Sequence, residues 1–387
     1  MSAELRTIAC VERRVPWRRP AHRANVRARL ALLVLLTLCI GAALAGQTRN
    51  VVLVVCDGLR WQEVFGGADP KLLEDAANSG WTPAAELRRR YGAADAAARR
   101  ELLFPFLWRT VAASGQLLGN ESLGSTVRVT NHQWFSYPGY SEMTSGVADP
   151  AIDSNSFGLN PNVTVFEWLN DQSAFRGKVE IFGTWGAFHR IFNGVRSGLP
   201  IRAGGTLLDA EDHSPGGRLL NEIYRTTASL EDDNPSDAML HVALRKHLQR
   251  HHPKVLFVGY GDADLWQHMG RYDAFLDTAR AFDGFVADLW NQLQSLPAYR
   301  GTTTLIITAD HGRGSGPDDW KEHGVQQPGS DRVWLAVLGP DTPPLGERGN
   351  TPEAQQAQIA ATVAAFVGAD FGSFQPAAVR PLPDLMR

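Results

Sequence analysis

Apolar residues come in continuous rather than alternating runs along much of this chain, and such runs read as strands covered on both faces of a sheet. The clearest are Val51 to Cys56, Val255 to Tyr260 and Thr304 to Thr308; weaker ones lie at Gln116 to Leu118, Lys178 to Phe182 and Val333 to Leu338. Between them the period lengthens to that of a helix. From Tyr272 to Leu296, Phe275, Ala279, Phe282, Phe285 and Leu289 recur at three- and four-residue steps, as Ile359, Val363 and Phe366 do within Pro352 to Val367. Strand, helix and strand alternate, which predicts an α/β fold, a three-layer α/β/α sandwich around a largely parallel central sheet. Between 187 and 253 the text turns Gly-, Asp- and His-rich. That stretch reads as an insertion or cap over the sheet edge, with helices near Leu219 to Ala228 and Ala238 to Arg250.

The first 45 residues follow a different pattern. Eight arginines against two glutamates precede a mainly apolar run from Leu30 to Ala45 that ends Ala43-Leu44-Ala45. A basic n-region, an apolar h-region and an A-x-A site make a secretory signal. The run falls short of the roughly 20 residues that span a bilayer. Export with cleavage after Ala45 is therefore expected, to the periplasm or the exterior, with membrane contact only if the segment stays as an anchor. Residues 46–387 are expected to form one domain.

Charge and cysteine count narrow the function classes. The whole chain carries a net −3, and without the basic segment 30 Lys+Arg face 39 Asp+Glu, a net of −9. Nucleic-acid binders have the opposite balance, so no nucleic-acid partner is expected. Cys10 and Cys39 fall in the leading segment, leaving Cys56 alone. No intramolecular disulfide is then possible, and the apolar core has to hold the fold.

Ligands of open α/β sheets sit beyond the carboxyl ends of the strands. All three of the best strands end in acid: Asp57-Gly58, Gly261-Asp262-Ala263-Asp264 and Ala309-Asp310-His311-Gly312. One such Asp is an ordinary helix N-cap; three together, two with histidine in reach, point to metal. Asp264 and His268 are spaced i, i+4, on one helical face. Asp209/His213 and Asp319/His323 share that spacing, but only Asp264 follows a strand. Twelve residues beyond His311 stands His323 before Gly324. Carboxylates and imidazoles without thiolate suit zinc, and manganese after it. A nucleophile is sought in Ser136-Tyr137-Pro138-Gly139-Tyr140, which by itself reads as a turn.

In this order the residues resemble the alkaline phosphatase superfamily, in particular its type I phosphodiesterase/nucleotide pyrophosphatase branch. The pattern is a strand-end Asp (Asp57), a Ser or Thr before aromatic-Pro (Ser136-Tyr137-Pro138), Asp-x-x-x-His (Asp264, His268), Asp-His-Gly (Asp310, His311, Gly312) and a last His (His323). It implies a phosphoric ester hydrolase, phosphodiesterase or phosphatase, acting on a small-molecule phosphoester with two divalent cations. Asp57, Ser136, Asp310 and His311 would hold one cation, Asp264, His268 and His323 the other, with Ser136 as the metal-activated nucleophile. Asn155 is the candidate for a phosphoryl oxygen, with Asn160 and Asn162 as rivals, and Arg313 is a second candidate substrate ligand. Two alternatives stand beside this reading. One is a sulfatase-like sulfuric ester hydrolase, because Ser136-x-Pro138 begins the Ser-x-Pro-x-Arg pattern that precedes formylglycine, although Tyr140 stands where that pattern needs Arg. The other is a non-catalytic envelope binding protein on the same fold.

Overall fold

In the computed structural model, residues 48–75, 78, 80–206, 212–227 and 234–386 are described. The expected signal over residues 1–45 lies outside them. The described part carries strands β1 (Asn50–Cys56), β2 (Gln116–Leu118), β3 (Val127–Arg128), β4 (Val179–Gly183), β5 (Ile201–Ala203), β6 (Val255–Tyr260), β7 (Thr303–Thr308), β8 (Arg332–Val333), β9 (Leu335–Leu338), β10 (Gly346–Glu347) and β11 (Ala354–Gln355). Its main helices are α1 (Ser136–Ser145), α2 (Val165–Asp171), α3 (Pro215–Thr226), α4 (Asp237–Leu248), α5 (Asp262–His268), α6 (Tyr272–Ser295) and α7 (Gln358–Phe366).

The continuous apolar runs become the centre of an eight-stranded sheet in the order β10-β2-β9-β7-β1-β6-β4-β5. Every neighbouring pair is parallel except those that β9 makes with β2 and β7. Every residue of β1, β4, β6 and β7 is buried, so both faces are covered. One cover is α1, α2 and α7, which pack on one another, with α7 on β1 and α2 on β4; α4 and α6 form another group, α4 packing on β4. This is the expected α/β/α architecture.

Two local readings change. The run Val333 to Leu338 is two strands: Trp334 Nε1 donates to the carbonyl of Leu59, and the chain turns there from the small sheet β11-β3-β8 into the central one. The stretch 187–253 is not simply a cap, because β5 extends the central sheet as its edge strand, and α4 packs on β4. A three-residue edge strand, Ile201-Arg202-Ala203, is too short to stand out from glycine-rich text. Among the described residues no helix is long and apolar enough to cross a membrane.

Candidate active site

Because β1 lies between β6 and β7, their carboxyl ends bring Asp57, Asp264, Asp310 and His311 together. Gly58, at φ +60°, makes the turn after β1: its N–H donates to Asp310 Oδ1 at 3.0 Å, and a Cβ there would stand 2.7 Å from Asp264 Oδ1. Only glycine combines that backbone with that approach. Gln356 Nε2 pins the Asp310 carbonyl at 2.8 Å, and Gln267 Nε2 holds the Gly58 carbonyl at 3.0 Å.

The segment carrying Ser136 is a buried helix rather than a turn. Pro138 fits the first turn of α1, where its missing N–H is no loss. Gly139 lets the helix press against β7, since a Cβ there would lie 2.4 Å from the Asp310 carbonyl oxygen. Asn155 Oδ1 accepts from Tyr137 N at 2.9 Å, satisfying one free amide at the helix start. Ser136 is thereby held at the positive end of α1.

All seven proposed ligands meet. Asp57, Asp310 and His311 offer donor atoms within 4.8 Å of one another, and so do Asp264, His311 and His323. Ser136 Oγ is 3.5 Å from Asp57 Oδ1 and 3.4 Å from His311 Nε2. His268 Nε2 lies 3.3 Å from Asp264 Oδ2 and 2.9 Å from His323 Nε2. The partition differs from the one the resemblance implied, for His311 belongs to both trios. Of the two decoy pairs, Asp209 lies outside the described residues and Asp319 binds the Gly316 amide in its own loop.

The electrostatics are those of a site short of positive charge. Burial, and then Asp57, push the Asp310 carboxyl up to about 7. Burial alone would lower His311, but Asp310 and Asp57 outweigh it and raise the imidazole to about 9. Burial, with His311 and Arg313 nearby, keeps His323 well below the usual imidazole range and so neutral, as a metal ligand must be. Asp310 Oδ2 is buried with no hydrogen-bond partner among the described residues. An orphaned carboxylate oxygen, crowded carboxylates and imidazole donors fit a divalent cation.

The candidate substrate ligands separate. Asn155 lines the cleft above Ser136, whereas Asn160 Nδ2 is engaged by Ser141 Oγ and the Ile191 carbonyl, and Asn162 Nδ2 by Asp149. Arg313 is corrected: it is fully buried, and its guanidinium is paired with Asp264 and the Lys321 carbonyl rather than turned to the cleft. Tyr140 was noticed in the sequence only as a departure from the sulfatase pattern, yet its hydroxyl donates to Asp57 Oδ2 at 3.0 Å. Its i, i+4 spacing from Ser136 was the available signal. The cleft has a volume of about 790 Å³, and Trp185, Arg190, Tyr224, Arg225 and Trp266 line it beyond the metal ligands. Four of these five lie within 187–253 or just before it, so that stretch shapes the cleft wall while also extending the sheet.

No protein-family model matches the chain, and no curated protein matches it. Solved structures do. Wild-type alkaline phosphatase PafA matches over 88% of this chain and 99% of that chain, with a TM-score of 0.56 and 11% identity. Phosphonate monoester hydrolase SpPMH from Silicibacter pomeroyi matches over 88% and 76%, with a TM-score of 0.51 and 13% identity. Lipoteichoic acid synthase LtaP from Listeria monocytogenes matches over 85% and 74%, at 0.50 and 11%. The fold is the one these solved structures share, the α/β/α sandwich that the alternation of strands and helices predicts. No type I phosphodiesterase is singled out among them.

Proposed function

We propose that this chain is an exported, two-metal phosphoric ester hydrolase with Ser136 as its nucleophile. The observation that carries the reading is the position of Ser136 Oγ, 3.4–3.5 Å from donor atoms of both His311 and Asp57 at the start of a buried helix. Asp57, Asp310, His311 and Ser136 would hold one cation and Asp264, His268 and His323 the other, with His311 within reach of both. Bound there, zinc-type cations lower the pKa of a hydroxyl and draw charge from phosphoryl oxygens. Ser136 Oγ attacks phosphorus in line as the P–O bond to the leaving alcohol breaks, giving a phosphoseryl ester; water then attacks phosphorus from the vacated side and frees Ser136. Asn155 Nδ2 orients a non-bridging oxygen, while its Oδ1 stays on the Tyr137 amide.

The cleft supports a diester over a monoester. Arg313 is buried on Asp264, and Arg190 is engaged by the carbonyls of Phe157 and Asn155. Among the described cleft residues this leaves Arg225 as the remaining guanidinium for a monoester dianion, and a diester carries one charge less. Trp185, Trp266 and Tyr224 offer apolar surface to a second ester substituent. Tyr140, where formylglycine formation needs Arg, weighs against the sulfatase alternative. Elemental analysis and turnover of bis-p-nitrophenyl phosphate, p-nitrophenyl phosphate and p-nitrophenyl sulfate test this. About two zinc or manganese ions per chain and fastest turnover of the diester are expected. A single calcium with sulfate ester turnover would replace the reading by the sulfatase one; a full metal complement with no turnover would leave a binding protein.

A further inference from the structure

We infer that Tyr140 is a positioning residue for Asp57, fixing which of its carboxylate oxygens is presented to the first cation; this rests on the metal-dependent reading above. The two acids of that trio are divided in the same way. Asp310 gives Oδ1 to the Gly58 amide at 3.0 Å and leaves the buried Oδ2 without a hydrogen-bond partner among the described residues. Asp57 gives Oδ2 to the Tyr140 hydroxyl at 3.0 Å and turns Oδ1 toward Ser136 Oγ and His311 Nε2. Each carboxylate thus has one oxygen tied to the protein and one aimed at the shared centre.

The tie at Asp57 is held by the packing around the phenol. Tyr140 is 1% exposed. Its ring stands edge-on to Phe188 at 4.9 Å and Phe257 at 6.0 Å, with Trp185 at 6.4 Å. It sits one helical turn after Ser136 on the same face of α1, so one short helix supplies both the nucleophile and the group that orients a ligand beside it. A carboxylate without such a partner rotates between one-oxygen and two-oxygen binding. Outer partners of metal ligands are worth about 10- to 100-fold in metal affinity.

Tyr140→Phe keeps the ring and its cage and deletes only the hydroxyl. Zinc affinity is measured by chelator competition in the otherwise unaltered chain, and again with Asp264→Asn, which disables the second trio, and with Asp310→Asn, which disables the first. The unaltered chain should hold two equivalents; Tyr140→Phe alone should lose one of them about 10- to 100-fold more readily. With Asp264→Asn the remaining equivalent should weaken by the same factor, and with Asp310→Asn it should not change. Equal weakening in both backgrounds marks a general packing effect and overturns the assignment, as does an unchanged affinity in all three. An unaltered chain that binds no zinc overturns the metal-dependent reading beneath it, an outcome legible before any Tyr140 variant is made.

Discussion

Gly139→Ala adds one methyl group between the nucleophile helix and the end of β7, and the structure says what that methyl meets. Its Cβ would lie 2.4 Å from the Asp310 carbonyl oxygen and 3.2 Å from the carbonyl carbon. Ordinary contact needs about 3.4 Å or more, so the two elements must part by about 1 Å. The carbonyl cannot retreat freely, because Gln356 Nε2 binds it at 2.8 Å and β7 is central in the sheet. The helix yields instead and carries Ser136, three residues earlier, away from His311. A misplacement of about 1 Å costs about 100-fold in rate, and overpacking costs about 1–3 kcal/mol in stability. Gly284→Ala makes the same chemical change within α6, where nothing lies within 4 Å of the added Cβ, and should stabilise by about 0.5–1 kcal/mol at unchanged rate. The assay is kcat/KM for bis-p-nitrophenyl phosphate with thermal melting and metal content for both variants. If Gly139→Ala kept its metal and worked within about twofold of the parent, the close approach would not be what sets Ser136, and the reasoning would fail.

Ser136→Ala should retain its metal, since Asp57, Asp310 and His311 still supply three ligands, while losing about 1,000-fold or more in turnover; near-parental turnover would assign the attack to another group. Arg313→Met should cost about 1.5–3 kcal/mol in denaturant unfolding, because it removes the buried guanidinium's charged hydrogen bond to Asp264; a raised KM at unchanged stability would return Arg313 to the substrate. Burial raises Asp283 to about 6 although the amides of Phe106 and Leu107 favour its charged form. The folded state therefore keeps this proton more tightly than the unfolded one, so its contribution to stability is present below about pH 4 and lost as pH rises through 6. Asp283→Asn should accordingly destabilise by about 2 kcal/mol more at pH 4 than at pH 7, read from unfolding at both; a pH-independent difference would contradict this.

What the sequence disclosed follows from how each feature is encoded. Central strands announce themselves because burial on both faces demands unbroken apolar runs, and Val51 to Cys56, buried throughout, is the clearest case. Asp57, Asp264, Asp310 and His311 were legible as candidate ligands because each stands within a few residues of the end of such a strand. Helix α1 was hidden: Ser-Tyr-Pro-Gly carries turn chemistry, yet here Pro138 serves the first turn and Gly139 a tertiary contact, and only the partner of that contact explains the glycine. Arg313 was misassigned because adjacency to Asp310-His311 fixes where its backbone goes and leaves open whether the side chain turns out to the cleft or back to Asp264. The sharing of His311 between two trios is likewise a matter of relative placement, set by loops that bring His323 back over β7.

The place of β1 in the middle of the sheet bears on how the molecule is made. β1 is the first of the described strands to leave the ribosome, and its two neighbours, β6 and β7, follow roughly 200 and 250 residues later. At ordinary rates of synthesis that is an interval on the order of 10–50 s during which seven apolar residues have no sheet to join. A nascent chain in that condition is held open by its own topology. It stays threadable until residue 308 is available, and pairing of β1 with β6 and β7 then closes the centre of the sheet and brings the ends that carry Asp57, Asp264, Asp310 and His311 together.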